Sequence, residues 1–159
     1  MTNSSWQRLL LLFDENERVI TGMKPSEPAP SAKFCGDSAH RTLGHLTACQ
    51  SAWLPLMSAL RSGESKGSIP INPDPLFRKL GYETLSWNSL VERFVADRAE
   101  WRELLQEIDL SLEIQTPRRV WSPQTLIKRM VEHEKNHLNA HPEAKSAREK
   151  CAQNGKNRL

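Results

Sequence analysis

Three histidines have the residue type and spacing of metal ligands. His133 and His137 are four residues apart, so on a helix they lie one turn apart on the same face. At about 100° per residue, that face also carries Leu126 and Met130, which places both imidazoles on an apolar stripe. His45 lies on a second apolar stripe, and three imidazoles from two helices form a donor set typical of zinc or nickel. The residues alone leave three interpretations open: a divalent-metal site, hydrogen-bonded core histidines, or a proton-shuttling group.

The segment 133–137 also matches H-E-x-x-H, the signature of zinc peptidases in which the glutamate is the general base. A peptidase needs a third ligand farther along the chain, and none follows at the metzincin spacing or at the longer thermolysin-type distance. The chain also lacks a recognisable strand to bind a peptide. We therefore exclude a peptidase and keep Glu134 as a candidate catalytic residue that orients a ligand histidine or holds a catalytic water.

Two other side chains stand out on the apolar stripes. Cys49 follows His45 by one turn on the same face, where it is either a soft metal ligand or a small core residue, the commoner role. Arg98 interrupts the stripe of the third helix. It either binds an anionic substrate or a thiol cofactor's carboxylate, or packs its stem and reaches solvent. We predict Arg98 as a substrate-binding residue.

Helical periodicity defines the segments that position these residues, and none of the chain shows a convincing strand alternation. The predicted helices are 4–23, 37–61, 84–108 and 122–140. Ser122 followed by Pro123 marks the sharpest start, an N-cap with proline at the first helical position. Pro55, inside the second helix, removes one backbone hydrogen bond and is expected to kink or shift that helix.

The connections between these helices indicate the architecture. A proline- and alanine-rich loop follows the first helix, and residues 62–83 form a long crossing in which 75–80 could make one helical turn. The sequence therefore predicts an all-α four-helix bundle with a long crossover over residues 1–141. Residues 142–159 are predicted to be a basic C-terminal extension, either a short helix or disordered.

The composition limits the class of protein. The chain has 159 residues, 38% hydrophobic and 26% charged, which is typical of a soluble domain with its own core. No stretch approaches the ~20 apolar residues that cross a bilayer, and no signal peptide is recognisable. Three cysteines, an odd number, argue against a disulfide framework, so we expect a cytoplasmic protein. A net charge of +3 without an aromatic-basic pattern makes nucleic acid an unexpected partner.

The order of these helices and connections resembles that of the DinB/YfiT-like superfamily, and the resemblance covers residues 4–141. The specific part of the resemblance consists of three short motifs: Gly44-His45-Leu46, Trp121-Ser122-Pro123, and E-H-E-K-N-H-L at 132–138. The resemblance implies a four-helix bundle with a long crossover, which is dimeric in most members of the family. It also implies that His45, His133 and His137 bind a divalent metal.

Known members of that family include thiol-dependent transferases and a mycothiol-dependent isomerase, while many have no assigned reaction. The resemblance implies a metal-dependent and thiol-dependent small-molecule transferase or hydrolase, with zinc, nickel or a similar ion and a low-molecular-weight thiol as cofactors. The alternative is a non-catalytic metal-binding or stress-responsive homodimer. Many members place a tryptophan before the serine that opens the second helix, where this chain has Gly36-Asp37-Ser38. This departure and Pro55 leave the substrate pocket unpredicted.

Overall fold

The computed structural model describes residues 4–23, 39–63, 74–116 and 119–156, which form six helices and one small sheet. The helices are α1 (Ser4–Gly22), α2 (Ala39–Ser62), α3 (Asp74–Lys79), α4 (Trp87–Leu105), α5 (Pro123–Asn139) and α6 (Pro142–Lys156). The antiparallel strands β1 (Ile114–Gln115) and β2 (Val120–Trp121) lie between α4 and α5 in the sequence. The predicted all-α class is confirmed. None of the described helices is both long and apolar enough to cross a membrane.

Four of the helices, α1, α2, α4 and α5, form the bundle. Helix α1 packs against α5, and α2 packs against both α4 and α5. The predicted crossing joins α2 to α4 and contains α3, which packs against α2. The four-helix bundle with a long crossover is therefore confirmed. The proline-rich loop after α1, the predicted helix start near residue 37, and residues 64–73 of the crossing lie outside the described residues.

The helix that carries the histidine pair begins where its sequence predicts. The Ser122 hydroxyl accepts the amide of Thr125, the Thr125 hydroxyl accepts the amide of Ser122, and Pro123 follows at the start of α5. Ser86 caps α4 similarly, since its hydroxyl accepts the amide of Ser89. These local bonds satisfy backbone donors that a helix start leaves unpaired, so both starts can be predicted from short sequence patterns.

Two details differ from the sequence expectation. Helix α4 ends at Leu105, before the predicted residue 108, because Gln106 is extended with a ψ of 125° and Glu107 then has a left-handed φ of 52°. The strands β1 and β2 have two residues each, too few to show an alternating pattern. Helix α2 continues through Pro55, as the predicted range requires, and the Pro55 side chain is exposed; the expected kink or shift stays a prediction.

The interior of the bundle consists of two apolar clusters joined by polar side chains. The first cluster includes Phe13, Trp53, Trp101, Leu126 and Ile127. The second cluster includes Ile20, Leu46, Leu90, Phe94 and Leu138. Buried polar side chains lie between the two clusters on α1, α4 and α5, and Gln50 is buried on α2 next to Cys49; we call Asn16, Gln50, Arg98 and Glu134 the buried polar layer. Because buried polar groups need partners, this layer constrains how the four helices fit together.

Helix α6 extends beyond the predicted bundle and packs against α1 and α5. Its Ala144 and Ala147 are buried in the second apolar cluster. The small side chains allow a close approach to α1, where a Cβ on Gly22 would lie 3.5 Å from that of Ala147. The predicted domain boundary at residue 141 remains a prediction.

Candidate metal centre

The three predicted ligands, here called the histidine triad (His45, His133 and His137), lie together where α2 faces α5. His133 Nε2 is 3.3 Å from His45 Nε2 and 3.2 Å from His137 Nε2. The ring centroids are 5.2 Å apart for His45 and His133, 4.8 Å for His45 and His137, and 4.6 Å for His133 and His137. All three side chains are half-buried, so the cluster has a protein side and a side facing solvent.

Hydrogen bonding alone does not explain both close contacts of His133 Nε2. An imidazole nitrogen either donates one proton or accepts one, so this atom can form a good hydrogen bond with only one of its two neighbours at a time. The other nitrogen pair is then left in close contact without a well-aligned hydrogen bond of its own. A cation between the rings would accept a lone pair from each of the three nitrogens and remove that conflict.

The nitrogen separations also match the size of a small divalent ion. Zinc-nitrogen bonds are about 2.0–2.1 Å long, so two nitrogens on a tetrahedral zinc ion lie roughly 3.3–3.4 Å apart. His133 Nε2 lies 3.3 Å and 3.2 Å from the Nε2 atoms of His45 and His137. The donor type and the spacing therefore both fit an ion such as zinc.

The surroundings of the triad favour neutral imidazoles, the form that binds metals. The pKa of His133 is lowered from 6.5 to about 4, first by burial and then by His137, His45 and Arg129. Burial, followed by the charge of His141, also lowers the pKa of His137. Nδ1 of His133 is buried without a hydrogen-bond partner among the described residues. If Nε2 of His133 binds the metal, the proton of the neutral ring lies on Nδ1.

Two further side chains of α2 border the triad. Cys49 is buried, and its Sγ is 3.5 Å from His45 Nε2. The ligand atoms of His45, Cys49 and His133 all lie within 4.8 Å of one another. Trp53, one turn farther along α2, has its ring centroid 5.5 Å from that of His133. Helix α2 thus places a sulfur atom and an apolar wall beside the nitrogens.

Glu134 and Arg98, predicted as a catalytic and a substrate-binding residue, lie in the buried polar layer and bind each other. Arg98 Nη2 donates to Glu134 Oε2 at 2.6 Å, and the two side chains are 0% and 2% exposed. The guanidinium carbon is 3.7 Å from the ring centroid of Phe13 and 4.8 Å from that of Phe94. Because Arg98 is fully buried, an anionic substrate could reach its guanidinium only if the side chains packed around it moved. Both assigned roles stay predictions.

Asn16 of α1 is a member of this layer that the sequence analysis missed. Its Nδ2 donates to Glu134 Oε2 and to the carbonyl oxygen of Val131, both at 3.0 Å. The available signal was a polar side chain on the stripe that carries Phe13 and Ile20, three residues after the first and four before the second. Asn16 thereby ties α1 to the helix that carries His133 and His137.

The fold and the site define a small helical bundle with a cluster of histidines between two of its helices. The sequence model of the DinB superfamily matches residues 5–140, and the chain belongs to that superfamily. Its fold is similar to that of the mycothiol-dependent maleylpyruvate isomerase, with a TM-score of 0.62 at 18% sequence identity. A mutant of that enzyme gives a TM-score of 0.63 at 16% identity. In both comparisons 89% of this chain is covered, and it spans 66% of the isomerase chain. No curated protein matches this chain.

Proposed function

We propose that this chain binds a divalent ion such as zinc or nickel through His45, His133 and His137. We further propose that it uses this ion, with a low-molecular-weight thiol, as a small-molecule transferase or hydrolase. The observation that supports the metal site is the convergence of three Nε2 atoms, with neighbours at 3.2 Å and 3.3 Å. The thiol is supported by a mycothiol-dependent enzyme of similar fold.

In this proposal the two helices hold the ion from both sides. His45 provides one nitrogen from α2, and His133 and His137 provide two nitrogens from consecutive turns of α5. When bound, a divalent ion lowers the pKa of a neighbouring thiol or water and so supplies a nucleophile at neutral pH. The half-buried position of the rings leaves one side for a small substrate. Trp53 lines that site and reduces the access of water to it.

We assign Glu134 a positioning role next to the metal centre. It follows His133 directly in the chain, and its carboxylate is bound by Arg98 from α4 and Asn16 from α1. These bonds hold α5 at one rotation, and the rotation sets the direction of the neighbouring imidazole. Glu134 would then act through a ligand histidine, and Arg98 would act through Glu134.

Metal analysis of protein purified without a nickel column tests the site. We expect stoichiometric divalent metal in the parent protein and none after combined replacement of His45, His133 and His137 by alanine. The matched control is His40→Ala, which removes an α2 imidazole whose Nε2 contacts the carbonyl oxygen of Leu85, outside the triad, and should leave the metal content unchanged. Stoichiometric metal in the triple variant would refute the ligand assignment.

Turnover assays separate an enzyme from a metal-binding protein. The metal-loaded parent and the triple variant would be incubated with a panel of low-molecular-weight thiols and electrophilic small molecules. Thiol transfer by the parent alone supports the proposed activity. Retained metal without turnover across the panel favours the non-catalytic metal-binding or stress-responsive protein.

Light scattering tests the proposed homodimer, and cell fractionation tests the proposed cytoplasmic location.

A further inference from the structure

We propose that Cys49 is the fourth ligand of the metal centre. The inference rests on the proposed function, because it specifies the position that the histidine triad leaves open. The complete donor set would be three imidazole nitrogens and one thiolate sulfur, two ligands from each of two helices.

The spacing of the four residues supports this set. His45 and Cys49 are four residues apart on α2, and His133 and His137 are four residues apart on α5. Residues at this spacing lie on consecutive turns of one helix face. Two such pairs on facing helices supply four donors, the number that a structural zinc ion takes.

The position of the sulfur atom agrees with this arrangement. A zinc-sulfur bond is about 2.3 Å and a zinc-nitrogen bond about 2.0–2.1 Å, so the two donor atoms on a tetrahedral ion lie roughly 3.5–3.6 Å apart. The separation of Cys49 Sγ and His45 Nε2 is 3.5 Å. The ligand atoms of His45, Cys49 and His133 all lie within 4.8 Å of one another.

A core cysteine whose thiol donates a hydrogen bond to His45 would make a similar contact, but the two arrangements differ in their consequences. A thiolate adds one negative charge to the centre and partly neutralises a divalent ion. It also occupies the coordination position that an external thiol would use. In this protein an incoming thiol would then have to displace Cys49 before it could react.

Cobalt(II) spectroscopy distinguishes the two arrangements. The reference protein carries Cys35→Ser and Cys151→Ser, so Cys49 is its only thiol, and the buffer contains none. We expect an intense near-ultraviolet sulfur-to-cobalt charge-transfer band in addition to the visible bands of tetrahedral cobalt. Adding Cys49→Ala should remove the ultraviolet band and keep the visible absorption. It should also weaken cobalt binding by about tenfold or more, because loss of even a hydrogen-bond partner of a metal ligand lowers metal affinity roughly 10–100-fold.

The outcomes separate this inference from the proposed function. Cobalt binding by the reference protein without the charge-transfer band overturns the role of Cys49 and leaves the three-histidine site standing. A reference protein that binds no cobalt overturns both. The cobalt spectrum of the reference protein tests the inference even if Cys49→Ala does not fold. Cys49→Ser provides a second variant, which should also lack the band.

Discussion

Removal of the Glu134 carboxylate is expected to destabilise the protein strongly. In Glu134→Ala, the guanidinium of Arg98 would remain fully buried without the carboxylate that now lies 2.6 Å away. Breaking a buried ion pair in this way costs about 3–5 kcal/mol, a large part of the ~5–15 kcal/mol that stabilises a typical domain. Arg98→Met combined with Glu134→Leu replaces both charges by apolar groups and should recover most of the loss.

Urea unfolding followed by circular dichroism measures these differences. The control is Glu132→Ala on the same helix, because Glu132 forms an exposed pair with Lys128 at 3.9 Å, with side chains 61% and 63% exposed. Its loss should change the free energy of unfolding by less than about 1 kcal/mol. The reasoning is refuted if Glu134→Ala is as stable as Glu132→Ala, or if the double variant is no more stable than Glu134→Ala. If the pair also positions His133, the folded double variant should bind metal roughly 10–100-fold more weakly.

Three further predictions concern pH, backbone packing and metal removal. The metal-free protein should lose stability as the pH falls from about 6.5 towards 4. The pKa of His133 is lowered to about 4 in the folded protein, so the unfolded chain binds more protons in this pH range. Unfolding midpoints that stay constant across this range would contradict the prediction. A Cβ at Gly44 would lie 2.8 Å from Phe77 Cε2, so Gly44→Ala should lower the free energy of unfolding in urea by about 1–3 kcal/mol. The control is Gly22→Ala, which should be tolerated because its new Cβ would lie 3.5 Å from that of Ala147. Chelation should lower the thermal midpoint, since an ion at 100 times its Kd stabilises a protein by about 2.7 kcal/mol, and it should have no effect on the triple histidine variant.

The features that could be predicted from the sequence are those encoded locally. The start of α5 depends on Ser122, Pro123 and Thr125, three neighbours in the chain whose bonds form within one turn. The pairing of His133 with His137 likewise follows from helix geometry alone. The crossing between α2 and α4 was recognisable because its prolines and glycines break every regular period.

The partners of buried side chains could not be predicted in the same way. Asn16 and Glu134 are 118 residues apart in the chain, and no local pattern records which polar groups meet across the bundle. Arg98 shows the consequence: its position on the apolar stripe is compatible both with a substrate contact and with a side chain that reaches solvent. Only the packing of α1 against α5 and the position of α4 show that Arg98 has an internal partner, Glu134.

The buried polar layer and the proposed metal centre are connected through helix rotation. Successive residues of a helix point about 100° apart, so a helix that directs Glu134 towards Arg98 must direct His133 to a neighbouring face. The same relation holds on α2, where Gln50 lies in the layer, its amide donates to the carbonyl of Phe94 at 2.8 Å, and Cys49 precedes it beside the triad. A rotation of either helix that moved its donors out of the centre would also break a buried hydrogen bond, which costs about 1–3 kcal/mol for each group left without a partner. The layer thus favours the helix orientations in which the donor atoms converge, whether or not an ion is bound.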